Sequence, residues 1–119
     1  MFGMQYKQRE IVLVPFPYSD LSASKKRPVL IVSNDDFNNK FEDVVVCVIT
    51  SDVYKDIYSL QLRNEDLEMG MLPEQSVVKA HKLFSIHKSK IIRKFSVVNE
   101  KYFAEVEKLI TELVKQKKA

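Results

Sequence analysis

The segment Asp43-Val-Val-Val-Cys-Val-Ile-Thr50 is the most apolar stretch of this 119-residue sequence, and it decides the fold class. Branched aliphatic side chains favour an extended backbone and fit a buried, pleated surface. The segment therefore predicts a strand in the interior of the protein. Cys47, in the middle of the run, has apolar neighbours on both sides, which indicates a core thiol and not a nucleophile.

Further strands are predicted on both sides of this segment, because short apolar or alternating runs are bounded there by turn residues. They are Glu10–Phe16, Arg27–Ser33, Tyr58–Leu62 and Ser76–Ile86. The last of them is either two short strands or one bent strand. Two prolines, Pro15 and Pro17, predict the end of the first strand, because proline has no N–H to donate. The intervening turns are Asn34–Asn39 and Gly70–Pro73.

The last part of the chain has the pattern of one amphipathic helix, from about Asn99 to Lys117. Asn99 is a suitable N-cap, and Glu100 follows it at the positive end of the helix dipole. Apolar residues recur at helical spacing, namely Phe103, Val106, Leu109, Ile110, Leu113 and Val114. Closely spaced strands followed by one helix predict a single domain over residues 1–119, in which an antiparallel sheet curls into a small barrel.

The composition excludes several classes of protein. With one Cys, and two His six residues apart, the sequence offers no disulfide framework and no metal site, and we expect no cofactor. Its two glycines, Gly3 and Gly70, cannot form a phosphate-binding loop. No apolar run reaches the roughly 18 residues of a membrane span. Met1–Glu10 lacks the apolar core of a signal peptide, so we expect a cytoplasmic protein.

Charge is unevenly distributed along the chain. Residues 1–78 carry 8 basic and 12 acidic side chains, a net charge of −4, whereas residues 79–119 carry 11 basic and 4 acidic ones, a net charge of +7. The basic segment is compatible with an anionic partner such as a nucleic acid. A solvated basic helix explains the same pattern, so charge alone does not choose between the two.

A long polar loop precedes the second predicted strand. It covers Pro17–Lys26 and leads directly into Arg27. Loops of this length between neighbouring strands are uncommon and are frequently functional. Thr50 and Ser51 place two hydroxyl groups at the end of the most apolar strand. From the residues alone, a functional site and an ordinary basic turn are equally good interpretations.

Three segments together resemble the MazF/PemK family of toxins from toxin–antitoxin systems. They are Ile11-Val-Leu-Val-Pro-Phe-Pro-Tyr-Ser-Asp20, Ser24-Lys-Lys-Arg-Pro-Val-Leu-Ile-Val-Ser33 and Val46-Cys-Val-Ile-Thr-Ser51. The similarity continues in the same order through Gly70-Met-Leu-Pro73 and Ser76–Ile86 into the terminal helix. Within it, Lys82-Leu-Phe-Ser85 is similar to a PemK-like branch of the family.

The resemblance implies both a fold and an activity. The fold would be a small SH3-like curled antiparallel β-barrel with a C-terminal helix. The activity would be metal-independent, sequence-specific cleavage of single-stranded RNA to 2′,3′-cyclic phosphate and 5′-hydroxyl ends. The partners would be the RNA and a cognate antitoxin protein, with DNA contacted only by the toxin–antitoxin complex and no membrane.

A homodimer is implied as well, and apolar residues in segments that resemble loops are expected to cover a partner surface. They are Phe2, Met4, Phe37, Phe41, Met69 and Met71.

By motif match, the resemblance puts the family's catalytic arginine at Arg27 and its catalytic threonine at Thr50. A guanidinium group clamps two phosphate oxygens and stays charged at neutral pH. A threonine hydroxyl can hold one phosphate oxygen in line. Ser51 is a weaker helper. The cations expected to contact RNA are Lys25, Lys26, Lys79 and Lys82.

The general base is not determined by the sequence. Many family members carry a glutamate in the first loop, whereas this chain has no carboxylate between Asp20 and Asp35. Asp20 and His81 are the candidates. The missing carboxylate keeps open two alternatives, a barrel toxin that acts by binding a protein, as gyrase inhibitors of a related fold do, and a relative without activity.

Overall fold

A computed structural model describes residues 5–17, 24–52 and 56–118. Its strands are β1 (Glu10–Pro17), β2 (Ser24–Ile31), β3 (Asp43–Thr50), β4 (Ser59–Leu62), β5 (Ser76–His87) and β6 (Arg93–Val97). Its helices are α1 (Asp35–Lys40) and α2 (Glu100–Val114), with short 3-10 turns at Asn64–Asp66 and Lys88–Lys90. No helix in these ranges is long and apolar enough to cross a membrane.

The six strands form one antiparallel sheet in the order β4-β5-β3-β2-β1-β6. The last strand returns to pair with the first, and β4 lies outside β5. The sheet curls into a half-barrel, and α2 packs against it. The predicted mainly-β fold, a small curled antiparallel barrel with a C-terminal helix, is confirmed.

Apolar side chains are buried on both faces of the sheet, because successive residues of a strand point to opposite sides. Neighbours in β1 illustrate this, since Ile11 belongs to one cluster and Val12 to the other. The first cluster includes Tyr102, Phe103 and Val106 of α2. The second consists of Val12, Val14, Val29, Ile31, Val44, Val46 and Ile91.

One end of α2 is fixed as the sequence predicts. The Asn99 side chain accepts a hydrogen bond from the Tyr102 N–H at 2.8 Å, so Asn99 is the N-cap. The Tyr102 hydroxyl donates to the Leu60 carbonyl at 3.1 Å and ties the helix to β4. At the other end the prediction was too long, because the helix stops at Val114 and that residue is 72% exposed.

The strand β5 bends where its pairing with β3 changes register. Residues 77–79 pair with one end of β3 and residues 83–87 with the other, and the shift falls between Cys47 and Val48. Ala80–Lys82 form the resulting bulge. Of the two alternatives for this region, one bent strand is correct.

Two predictions around the first loop were wrong. The two prolines do not terminate the pairing of β1, because Pro15 lies opposite Lys26, and Pro17, the last residue of the strand, lies opposite Ser24 of β2. On its other side β1 pairs with β6 only over residues 10–13, so the missing proline N–H groups cost no bond there. The predicted polar loop is correspondingly shorter, because β2 already begins at Ser24.

Two elements were not predicted. The segment expected to be a turn after β2 forms the six-residue helix α1, because the Asn34 side chain caps it by accepting from the Phe37 N–H at 2.9 Å. Asn38 of this helix is buried and donates to the Ser33 carbonyl at 2.9 Å. The strand β6 was missed because Arg93 and Lys94 give it a polar beginning.

The core position predicted for Cys47 is confirmed, since the thiol is fully buried. Burial raises the pKa of Cys47 from 9.0 to about 12. Folding therefore favours the protonated thiol, and this contribution to stability is lost as the pH rises above about 9, where the unfolded thiol ionises. We expect iodoacetamide to leave Cys47 unmodified in the native protein at pH 8 and to modify it in denaturant, as measured by mass spectrometry. Rapid native modification would contradict the buried position.

Candidate functional site

The two residues assigned to catalysis by motif match lie next to each other on neighbouring strands. Val29 of β2 pairs with Val48 of β3, and the same register continued by two residues puts Arg27 opposite Thr50. Opposite residues of an antiparallel pair project on the same face of the sheet. Arg27 and Thr50 are 23 positions apart in the sequence, and the sheet brings them together where β3 ends beside β2.

Both side chains are constrained by their surroundings. Arg27 is half-buried beside Val14 of β1, and its Nε atom is buried. The Thr50 hydroxyl oxygen accepts a hydrogen bond from the Asp52 N–H at 3.1 Å. A hydroxyl that accepts a bond in this way still has its own hydrogen to donate. Thr50 can therefore offer that hydrogen to an anionic oxygen.

A cavity of about 360 Å³ opens at this end of the sheet. Its lining includes Arg27, Thr50 and Ser51 together with Lys26, and five strands and the segment before β5 contribute the rest of its wall. The remaining lining residues are Ile11, Leu13, Pro28, Ile49, Leu72, Pro73, Glu74, Ser76, Arg93 and Phe95. Most of the apolar ones lie on the opposite sheet face from Arg27 and Thr50, which therefore stand at the boundary between the cavity and the neighbouring face.

The charge of the cavity is mostly positive. Three cations line it, namely Lys26, Arg27 and Arg93, and among the described lining residues Glu74 is the one carboxylate. The guanidinium of Arg93 lies 5.9 Å from the centre of the Phe95 ring, a cation–π contact. Such a wall attracts an anionic group and has apolar surface on which a base can pack.

Glu74, Arg93 and Phe95 line the cavity but were not among the site residues predicted from the sequence. Arg93 and Phe95 belong to β6, which was not predicted, and Glu74 follows the turn after Gly70. The basic and aromatic alternation of Arg93 and Phe95 is the one signal in the sequence that could have indicated a strand facing an anionic ligand.

The other predicted residues are distributed more widely. Lys82 is exposed on β5 and does not line the cavity. Asp20 and the side chain of Lys25 lie outside the described part of the structure. Lys79 and His81 are on β5, away from the cavity lining, in a cluster of their own.

This second cluster is organised by Asp56. Its Oδ2 atom lies 3.5 Å from Lys79 Nζ, and its Oδ1 atom lies 3.9 Å from His81 Nδ1. The hydrogen bond from the Tyr58 N–H lowers the pKa of Asp56, with further contributions from the Ser59 hydroxyl, Lys79 and His81. Only 8% of the Lys79 side chain is exposed, so protein groups such as Asp56, and not water, neutralise most of its charge.

The part of the chain that the structure describes brings no three His, Cys, Asp or Glu side chains together in a metal-binding arrangement.

The chain belongs to the family of PemK-like, MazF-like toxins of type II toxin–antitoxin systems, whose model matches residues 7–114. The predicted family is thus confirmed. A search of curated protein sequences finds no significant match.

Solved structures with the same fold support this assignment. One is an endoribonuclease in complex with its cognate antitoxin from a mycobacterial species, at 16% identity and a TM-score of 0.76, covering 94% of this chain and 99% of that one. Another is a MazE–MazF complex from Deinococcus radiodurans, at 17% identity and a TM-score of 0.76, covering 94% and 97%. The Mycobacterium tuberculosis toxin MazF-mt6 has 18% identity and a TM-score of 0.69, covering 87% and 94%. At these identities the likeness establishes the fold.

Proposed function

We propose that this toxin is a metal-independent endoribonuclease. It cleaves single-stranded RNA at a short sequence and leaves 2′,3′-cyclic phosphate and 5′-hydroxyl ends. It acts in the cytoplasm, and DNA is contacted only by the toxin–antitoxin complex. The observation that carries the proposal is the cross-strand pair of Arg27 and Thr50 at the end of a cationic cavity.

The residues of the pair suit the charge that develops during cleavage. RNA supplies its own nucleophile, the ribose 2′-hydroxyl. As the 2′-oxygen attacks, negative charge grows on the phosphate oxygens, and Arg27 neutralises it. Thr50 donates a hydrogen bond to one of these oxygens and holds the phosphate in place. Lys26 and Arg93 bind neighbouring phosphates, and Ser51 assists Thr50.

The decisive experiment is incubation of the purified protein with a long single-stranded RNA in EDTA. We expect cuts at a short recurrent sequence, with cyclic phosphate and 5′-hydroxyl ends identified by enzymatic end-labelling. Cleavage that requires an added divalent ion would refute the metal-independent mechanism. Intact RNA under both conditions would favour the alternative of a toxin that acts by binding a protein.

A cognate antitoxin is the proposed protein partner. One of the similar structures is described as an endoribonuclease in complex with its cognate antitoxin, and another as MazE–MazF from Deinococcus radiodurans. An acidic, extended segment that folds on binding would complement the lysines and arginines of the RNA site.

We expect the cognate antitoxin to compete with RNA for this site. Titration of the RNA-bound toxin should release the RNA and stop cleavage, with association that slows as salt rises because opposite charges attract less strongly. Fluorescence anisotropy of a labelled RNA measures the release. A ternary complex with unchanged cleavage would contradict a shared site.

The toxin is proposed to work as a homodimer. Large apolar side chains remain exposed on one chain, among them Phe41, Met69 and Met71, at 55%, 60% and 73%. Phe37 is half-buried and stacks on Phe41 at a centroid distance of 4.6 Å, while Phe2 and Met4 lie outside the described residues. Light scattering should give twice the 13.9 kDa chain mass at micromolar concentration, and a single-chain mass would contradict the dimer.

A further inference from the structure

The cluster of Asp56, Lys79 and His81 lies on the same face of the sheet as the catalytic pair. Thr50 is opposite Val77, and Val48 is opposite Lys79, so Lys79 projects on the face of Thr50. Val78 and Ala80 both enter the core cluster beneath α2, which shows that the alternation continues to that point. His81 and Lys79 both approach the Asp56 carboxylate, so His81 projects on the same face as Lys79.

We propose that His81 is the general base of the RNA cleavage reaction and that Asp56 is its positioning residue. The inference rests on the ribonuclease function proposed above and supplies the proton acceptor that the sequence leaves open. The observation behind it is a histidine whose Nδ1 atom is buried 3.9 Å from a carboxylate oxygen, on the sheet face that carries Arg27 and Thr50.

The environment of the imidazole determines which nitrogen meets the substrate. Nδ1 is buried and faces Asp56, while 30% of the side chain is exposed. Nε2 is therefore the nitrogen that an RNA can reach. A carboxylate beside Nδ1 favours the tautomer with its proton on Nδ1 and leaves Nε2 free to accept one. Tyr58, whose ring centre lies 6.2 Å from that of His81, limits the positions that the imidazole can take.

His81 follows the catalytic pair along one strand. It lies four residues along β5 from Val77, the residue opposite Thr50, a backbone separation of at most about 13 Å at the rise of a strand. The proposal places the 2′-hydroxyl of the bound RNA between His81 and the catalytic pair.

The reaction balances without a cofactor. His81 Nε2 takes the proton of the 2′-hydroxyl as the 2′-oxygen forms a bond to the adjacent phosphorus. The bond from phosphorus to the 5′-oxygen breaks, and its electron pair leaves with that oxygen, which takes a proton from water. The resulting hydroxide receives the proton held by His81, so the base is regenerated. The products are the cyclic phosphate and the 5′-hydroxyl end, and no electron is exchanged with another reagent.

The test compares His81→Asn with a matched control, His87→Asn. His87 also faces a carboxylate, with Nε2 3.1 Å from Glu42 Oε2, but it lies at the far end of β5, beyond the bulge. The substrate is an RNA oligonucleotide with the mapped cleavage sequence. The binding probe is the same oligonucleotide with a 2′-deoxynucleotide at the cleavage position, which cannot be cut. Thermal unfolding of each variant reports whether the fold is kept.

We expect His81→Asn to lower the single-turnover cleavage rate about 10²-fold or more, with affinity for the deoxy probe unchanged. The acidic limb of its pH–rate profile should disappear. Asp56→Asn should lower the rate less, again with affinity for the deoxy probe unchanged, because the imidazole loses the carboxylate that orients it. The groups facing His81 are Asp56, Tyr58 and, through Asp56, Lys79. A merely structural role of His81 would leave the acidic limb in place in His81→Asn.

The possible results distinguish a wrong assignment of the general base from a wrong assignment of the ribonuclease function. If His81→Asn cleaves with the wild-type rate and pH profile, His81 is not the base, while the ribonuclease function stands. If both histidine variants lose activity equally, the effect is not specific to His81 and the inference fails. Should His81→Asn not fold, Asp56→Asn decides, and a wild-type cleavage rate in that variant overturns the proposal. If the wild-type protein leaves RNA intact in EDTA and in Mg²⁺, function and inference fall together.

Discussion

Replacement of Arg27 by alanine is expected to lower RNA cleavage by about 10²-fold or more, the loss typical of a removed donor to a developing negative charge. Arg27 is half-buried within β2, opposite Thr50, and in the proposed mechanism it neutralises the attacked phosphate. Its removal leaves the charge of the attacked phosphate without its main counterion. The measurement is the single-turnover rate on a defined RNA oligonucleotide, with thermal unfolding recorded alongside.

The control for this experiment is Arg63→Ala. Arg63 is an exposed arginine after β4, whose guanidinium donates to Gln61 at 3.2 Å, and it does not line the cavity. We expect it to cleave at the wild-type rate. The cleavage rate of Thr50→Ala should lie between those of Arg27→Ala and Arg63→Ala, because one neutral hydrogen bond is lost. A folded Arg27→Ala protein with near-normal cleavage would remove Arg27 from the mechanism.

The largest effect on stability is expected from Val106→Asp. Val106 is completely buried where α2 packs against the sheet. An aspartate there has no partner in the core, and such a buried unpaired charge costs more than about 4 kcal/mol. Since a domain of this kind is stable by about 5–15 kcal/mol, we expect the variant to lose most or all of its cooperative unfolding transition, followed by circular dichroism.

The same substitution at the end of the same helix provides the comparison. Val114 is 72% exposed, so Val114→Asp buries no charge. Its expected cost is below about 1 kcal/mol, from the unfavourable position of an anion at the negative end of a helix. Equal destabilisation by the two variants would show that α2 does not bury its face as the structure indicates.

These two valines also show how far the sequence predicts this fold. The helical spacing predicted both Val106 and Val114 to lie on the apolar face of the helix. Periodicity identifies such a face, but it does not show where the sheet stops covering it. The strand β3 was predicted with its observed bounds, Asp43–Thr50, because a short run of β-branched apolar residues favours a strand. Local pattern thus identifies an element whose sequence is apolar almost throughout.

Elements that depend on one contact or on a distant partner were less predictable. The helix α1 is six residues long, and the cap from Asn34 determines it more than any periodic pattern does. The strand β6 is mostly polar in sequence, and it is a strand because β1 offers it hydrogen-bonding partners more than 80 positions earlier. The alternation of Arg93 and Phe95 is a local signal for a strand, but it does not identify the strand with which β6 pairs.

The residues of the candidate site also differ in whether the local sequence or a distant partner identifies them. Arg27 and Thr50 were assigned from a motif match, whereas the contribution of Arg93 and Phe95 required the pairing of β6 with β1. The approach of Asp56 to His81 could not be anticipated, because 25 residues and a strand separate them and the bulge in β5 determines where the histidine projects. The partners of a functional group are thus determined by tertiary structure.

The pairing of β1 with β6 also has a consequence for the synthesis of the toxin. One edge of β1 receives its hydrogen-bonding partner only when Arg93–Val97 has been made, and the core cluster closes only when α2 follows. A nascent chain that ends earlier lacks both the outer strand and the helix face that buries the core. Contacts of such long sequence separation form late. Folding on the ribosome is therefore deferred until β6 and α2 have left the exit tunnel.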